Sequence, residues 1–450
     1  MNGPERIVVV GASLAGLRAA EALRDEGFEG DLTLIGDEPY APYDRPPLSK
    51  AVLSGWLPTD HTVLPRARNI DARWLLGTPA NGVDLRARRV ELADGREVPY
   101  DRLLIATGTR ARPWPQQLGG ALHGVHVLRS RDDADRLRAA LAAGPGRVLV
   151  IGAGFTGGEV ASVCRDLGLD VTVTQRGGTP LLSALGGVIG SAVTGWYRDA
   201  GVDLRLGTTV RALEGDARGR LRRAALSDGS VVEAEVAVVA AGALANTEWL
   251  TGSGLAADDR GVVCDAACRA LADDGTPVAD VFVAGDVARW PHPLHPGQLL
   301  RLDHWDNAVA QARTAAHNMV HGSRAPRTHR PLPAFWSNQF GVNLKCVGLP
   351  SLADQVVVTQ GSLDERRFVA AYGRRGRLVA AVAVDSPRVL DGYAALIEAG
   401  APFPPVLNAT DGPGRLDALD AAFPRPAAGG VPTPPVSSIP SAPSVLAGHE

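Results

Sequence analysis

Apolar residues run unbroken through Ile7–Val10 and again through Val148–Ile151, and each run ends in a glycine followed by alanine-rich sequence of helical period. Such a run, bounded by glycine, predicts a strand buried on both faces, and the period that follows predicts an amphipathic helix laid over it. The first unit reads "RIVVVGASLAGLRAAEALRDEG" with a second strand in "DLTLIGDE"; the second unit reads "RVLVIGAGFTGGEVASVCRDLGLDVTVTQR". "RLLIATGTRARP", residues 102–113, predicts a strand and a crossover between the units, and "ADVFVAGDVARW", residues 279–290, a short apolar strand ending at Gly285 and Asp286. Farther on, "VVVTQGSLDERRFVAAYG" and "RLVAAVAV" predict strands and "LDGYAALIEAG" a closing helix.

Strand, glycine-rich turn and helix in this order form the dinucleotide layout. Gly11 permits the tight turn, Gly16 allows the helix close to the strand, and the helix N-terminus offers free amides to a pyrophosphate. Ser13 replaces the middle glycine and brings a side chain near the phosphates, and Asp37 ends the second strand, where an acid accepts ribose hydroxyls. The second copy carries all three glycines, Gly152, Gly154 and Gly157, and two copies point to two dinucleotides. At its ribose position stand Gln175 and Arg176, a neutral amide beside an arginine, which suits a 2′-phosphate and favours NADPH, with NADH left open.

The fold class expected is α/β: two Rossmann-like dinucleotide-binding domains, the second inserted in the first, and a C-terminal α+β interface domain. The boundaries fall at 1–112 and 246–325 for the first domain, 113–245 for the second and 326–410 for the third. A Pro-, Ser- and Gly-rich tail over 424–450 is expected to be disordered.

Composition removes several classes. A net charge of −3, with arginines scattered among acids, gives no basic field, so neither nucleic acid nor an anionic membrane is an expected partner. No stretch approaches the roughly 18 apolar residues of a membrane helix, and "MNGPER" lacks the layout of a secretory leader, so a cytoplasmic protein is expected. Cysteines 164, 264, 268 and 346 read as small core residues; Cys264 and Cys268 have no further ligand at metal spacing, and no metal is expected. The chain has two lysines, Lys50 and Lys345, among 46 basic residues. Where nearly every solvated lysine has become arginine, a surviving one points to a task for a compact ammonium. Lys345, in "VNLKCVG", has no chemical group beside it in sequence.

Seven motifs in order, "GASLAGLRAAEALR", "PYDRPPLSK", "LLIATG", "VIGAGFTGGEVA", "VFVAGDVA", "HWDNAVAQA" and "FWSNQFG", span about residues 5–405. Together the chain resembles the FAD-dependent ferredoxin reductases of the two-dinucleotide-binding, glutathione-reductase-like superfamily, which supply cytochrome P450 and Rieske oxygenase systems. The resemblance implies FAD contacts from Ala15, Asp37, Ala80 and Arg129, Arg45 and Lys50 close to the isoalloxazine, Asp286 on the ribityl chain and Trp305 beside the ring. It implies Glu159 at the nicotinamide and Trp336 covering the flavin from the third domain. Thr156 and Gly158 stand where family members usually carry larger apolar residues, Gln175 replaces the usual acid, and Asn338 replaces a common aspartate.

The mechanism implied is hydride transfer from NAD(P)H to FAD, with Lys50, Glu159 and Trp336 as the catalytic residues. An ammonium on Lys50 stabilises negative charge on reduced flavin and pairs with Glu159 when the nicotinamide site is empty. Pro46 and Pro47 stiffen its loop. Disulfide reductases of the same plan need a redox cysteine pair, and this chain has no cysteine before 164. Electrons are therefore expected to leave directly to a one-electron carrier, a small acidic iron-sulfur ferredoxin docking near Arg313 and the third domain, and from there to an oxygenase. A different acceptor (rubredoxin, a quinone or monodehydroascorbate) and a non-enzymatic flavin redox sensor remain open on the same motifs.

Overall fold

A computed structural model describes residues 4–294, 296–386, 389–405 and 419–420. The expected disordered tail, 424–450, lies outside them. The first sheet has the spatial order Arg269–Leu271, Pro277–Val283, Arg102–Ile105, Arg6–Val10, Asp31–Ile35 and Arg73–Leu75. Its last five strands are parallel and Arg269–Leu271 is an antiparallel edge. Ile7–Val10 is at most 3% exposed, as a central parallel strand covered on both faces must be.

Helix α1, Leu14–Asp25, follows the first strand and packs on the sheet beside the later helix Trp305–His321. Alanines line the contact, among them Ala15 and Ala19 on one side and Ala308, Ala312 and Ala315 on the other. Their small side chains let two helices share one sheet face. At the far end Glu26 Oε2 faces His317 Nδ1 and His321 Nε2, each at 2.9 Å, and pins the two helix ends together.

Helix α2, Arg131–Ala142, starts with a capping box in which Ser130 and Asp133 satisfy each other's amides. The second sheet repeats the first in smaller form: Asp203–Leu206, Val171–Gln175, Val148–Ile151, Val236–Val239 and Val125–His126, all parallel. Helix α3, Phe155–Asp166, leaves its central strand, and α4, Leu182–Asp199, follows the next one, bent at Gly186.

Trp305–His321 is α5. Beyond it an antiparallel sheet runs Ala334–Gln339, Val342–Gly348, Arg377–Val384, Arg367–Arg374, Gln355–Ser362 and Leu419–Asp420, with α6, Leu390–Glu398, packed on it. One face of this sheet, with Tyr372 and Val382, joins the same core as Val160, Ile189 and Leu48, so the third unit is welded to the second and to the loop that carries Lys50. Tyr372 donates to the Leu185 carbonyl at 2.8 Å across that seam. No helix of the described residues is long and apolar enough to cross a membrane.

Candidate active site

The three sheets close around one continuous cleft of about 1810 Å³. Both glycine loops open into it. Gly11 has φ +117°, and a Cβ there would stand 2.1 Å from the Ala106 carbonyl oxygen; a Cβ on Gly16 would stand 1.9 Å from the Gly11 oxygen. Neither position tolerates a side chain. Gly152, at φ +108°, and Gly157 make the same approaches in the second unit. Gly154 is different: its Cβ would meet nothing, and it serves as the extended cap of α3. Ser13 caps α1 without a side-chain bond, so the first amides of both helices face the cleft free for an anion.

Ala15 is buried where α1 meets Gly285, at the end of the strand Pro277–Val283. Asp37 is exposed at the cleft wall, its carboxylate accepting the Glu38 amide. Glu38 binds the Arg45 guanidinium at 2.6 Å and also accepts from Tyr43. Arg45 in turn donates to the Arg129 carbonyl, and Arg129 Nη2 lies 2.6 Å from Asp286 Oδ2. Trp305 Nε1 donates to Asp44 at 2.9 Å. Ala80 lines the cleft at the start of the strand Ala80–Asp84. Burial together with the neighbouring Asp286 charge raises the Asp303 carboxyl to about 6, and burial holds His304 down to about 4, so its ring is neutral at pH 7. His304 Nδ1 has no partner among the described residues.

Where the two loops come nearest, Lys50 Nζ lies 2.7 Å from Glu159 Oε2. Pro46 and Pro47 open the 3₁₀ turn Pro46–Ser49, and Lys50 follows as its cap, with Nζ also 3.2 Å from the Pro46 carbonyl. The Glu159 side chain is 9% exposed and fully engaged: Ser49 Oγ donates to Oε2 at 2.6 Å and Ser337 Oγ to Oε1 at 2.7 Å. Removing one charge of so enclosed a pair strands the other, at a cost of about 3–5 kcal/mol when burial is complete.

Gln175 Oε1 accepts the Ala153 amide at 3.2 Å, while Arg176 beside it is exposed at the cleft with no ion-pair partner among the described residues. Trp336 projects into the cleft mouth, 38% exposed. Lys345 stands directly across the strand pair from Trp336 and is exposed beside it, a neighbour the sequence did not reveal. Arg313 is exposed on α5 and is not part of the cleft lining. Cys164, Cys264, Cys268 and Cys346 are free, buried and away from the cleft.

The structure thus brings into one cleft every site residue named from the sequence except Gly16 and Gly157, which lie directly behind it as packing glycines. Sequence reasoning missed Glu38, Asp44, Ser49, Asp303, His304 and Ser337. Ser49 and Ser337 are 110 and 178 residues from Glu159, a separation that carries no local signal. The fit to two dinucleotides rests on the two collision-limited glycine loops and the uncapped helix ends they present.

Comparison with known proteins agrees with this geometry. Residues 5–312 match the family model described as pyridine nucleotide-disulphide oxidoreductase, and residues 334–413 match reductase C-terminal. The chain is 38% identical over 386 residues to rhodocoxin reductase of Rhodococcus erythropolis, covering 85% of this chain and 87% of that one. It is 36% identical over 408 residues to the anthranilate 1,2-dioxygenase system ferredoxin–NAD(+) reductase component of Burkholderia cepacia, covering 88% and 94%. Among solved structures it is similar to the reductase in the covalent putidaredoxin reductase-putidaredoxin complex, with a TM-score of 0.81, 30% identity and coverage of 89% and 94%.

Proposed function

The chain belongs to the pyridine nucleotide-disulphide oxidoreductase family, and from that premise we propose that it is a FAD-dependent ferredoxin reductase feeding an oxygenase from NAD(P)H. The observation that carries this reading is the Lys50–Glu159 pair at the junction of the two glycine loops, in a cleft with no cysteine on its wall. FAD, when bound, accepts two electrons as hydride and releases them singly.

The protein's own residues supply the rest. Uncapped amides at α1 and α3 hold pyrophosphates, Asp37 faces a ribose, and Asp286, held by Arg129, faces the ribityl chain. Arg45 and Trp305 border the ring site, and Trp336 covers the cleft mouth. Lys50 would keep a compact positive charge beside the flavin ring, and Glu159 would be free to accept a hydrogen bond from the nicotinamide carboxamide. The outward Trp336 and Lys345 form the side offered to a small acidic iron-sulfur protein, and Arg313, exposed on α5, is a further candidate contact. Four unpaired cysteines suit a reducing compartment, and we place the protein in the cytoplasm.

The finer choice of nucleotide is NADPH. Gln175 spends its amide oxygen on Ala153, and no carboxylate stands at the ribose position to repel a 2′-phosphate from the unpaired Arg176. Anaerobic stopped-flow mixing of the purified flavoprotein with NADPH and with NADH, followed near 450 nm and then with a small ferredoxin, tests both levels. Rapid bleaching, faster with NADPH, followed by stoichiometric ferredoxin reduction is the expected result. Bleaching without electron transfer to any ferredoxin would favour another acceptor, and no bleaching with either nucleotide would end the reductase reading.

A further inference from the structure

The strand Ala334–Gln339 has two faces. Trp336 and Asn338 point outward, while Ser337 and Gln339, 1% and 3% exposed, point inward against α3 of the second unit. Ser337 Oγ is 2.7 Å from Glu159 Oε1, and Gln339 Nε2 is 3.0 Å from Ser337 Oγ. A serine hydroxyl has one proton, and an ionised carboxylate only accepts. With the Gln339 amide donating to the serine oxygen, that proton is directed onto Glu159.

The other end of the amide faces Gly158. Gln339 Oε1 and the Tyr197 hydroxyl are buried without partners among the described residues, and both lie against Gly158: a Cβ there would be 2.1 Å from the first and 2.7 Å from the second. Turning the amide over would make Oε1 compete with Glu159 for the serine proton. Gly158 has no left-handed backbone to maintain; a side chain there would displace Gln339. The absence of a side chain at Gly158 is therefore what admits the glutamine.

We propose that Ser337 and Gln339 are positioning residues for Glu159, and through it for Lys50, with Gly158 the opening that makes the arrangement possible. The proposal rests on the reading of Glu159 as the nicotinamide-side carboxylate. Lys50 and Ser49 hold Oε2, so Ser337 on Oε1 keeps the carboxylate from swinging when Lys50 is released.

The two-lysine composition makes the test direct. Holoenzyme labelled with ¹⁵N-lysine gives two side-chain signals, assigned with Lys345→Arg. The paired Lys50 ammonium is expected to exchange its protons with water slowly. Ser337→Ala and Gln339→Leu should speed that exchange, and slow flavin reduction, by about tenfold each, with KM, flavin content and unfolding midpoint near wild type. Ser337→Thr should restore both rates. Gly158→Ala, whose Cβ would displace Gln339, should make Lys50 exchange as fast as in Gln339→Leu. Unchanged exchange in both Ser337→Ala and Gly158→Ala would overturn the positioning role. A wild-type Lys50 signal that ignores added nicotinamide nucleotide would instead overturn the reading of Glu159, with the exchange results still deciding the positioning role.

Discussion

The first glycine loop opens onto several charged side chains tied to one another, whereas the second, with the same backbone approach, meets one enclosed ion pair, Lys50–Glu159, and Arg176 at its rim. Two ion pairs, Glu38–Arg45 and Arg129–Asp286, linked by Arg45 donating to the Arg129 carbonyl, surround the first with Asp303 beside them, and together span three segments of the chain. Around the second, Gln175 is spent on a backbone amide, and Arg176 has no ion-pair partner among the described residues. A permanently held cofactor is served by groups that order one another before it arrives. A nucleotide that must leave on every turnover is served by fewer such groups, which keeps release from being slow.

Exchanging the loops' fates gives the largest expected effect. Gly11→Ala and Gly152→Ala each force a residue into left-handed backbone and against a carbonyl, at about 1–3 kcal/mol of strain before the collision is counted. Gly11→Ala should purify with little flavin absorbance. Gly152→Ala should keep its flavin and fail to bleach with either nucleotide. Loss of flavin from both would erase the division between the sites.

A smaller change sharpens the second site. Arg176→Ala should raise KM for NADPH about tenfold, the worth of one charged hydrogen bond to phosphate, and alter that for NADH less than twofold. Equal effects on both nucleotides would remove the phosphate role.

The smallest effect concerns the first site alone. Asp303 rises from 3.8 to about 6 on folding, so the folded protein holds this proton more tightly than the unfolded chain does. Its ionisation therefore opposes folding above about pH 6, and that penalty fades as the pH falls through 6 toward 3.8. Asp303→Asn should raise the melting temperature of flavin-free protein at pH 7.5 by roughly 1–2 °C and leave it unchanged near pH 4. A gain of equal size at both pH values would mean that charge is not its source.

Much of this was legible because the dinucleotide signals are local. A buried apolar strand, a glycine whose Cβ would strike the next strand and an alanine-rich helix all fall within about 20 residues, and the α/β class followed from their repetition. Lys50 stood out through composition, since a lysine among arginines is visible without any structure. The groups that hold Glu159 were not legible. Ser49 and Ser337 are ordinary serines until folding brings two distant segments onto one carboxylate. Gly158 looked like a mere departure in the helix until the space beside it was seen to hold Gln339.

The four cysteines bear on durability. Each thiol is sealed in apolar surroundings, and burial pushes every one of them up, Cys164 to about 12. At neutral pH they remain protonated and shielded, and the thiolate that peroxide or an alkylating agent would attack is scarcely present. A protein that handles reducing equivalents next to oxygen thus keeps its own sulfur out of the traffic, and its working life is set by the fold and not by its thiols.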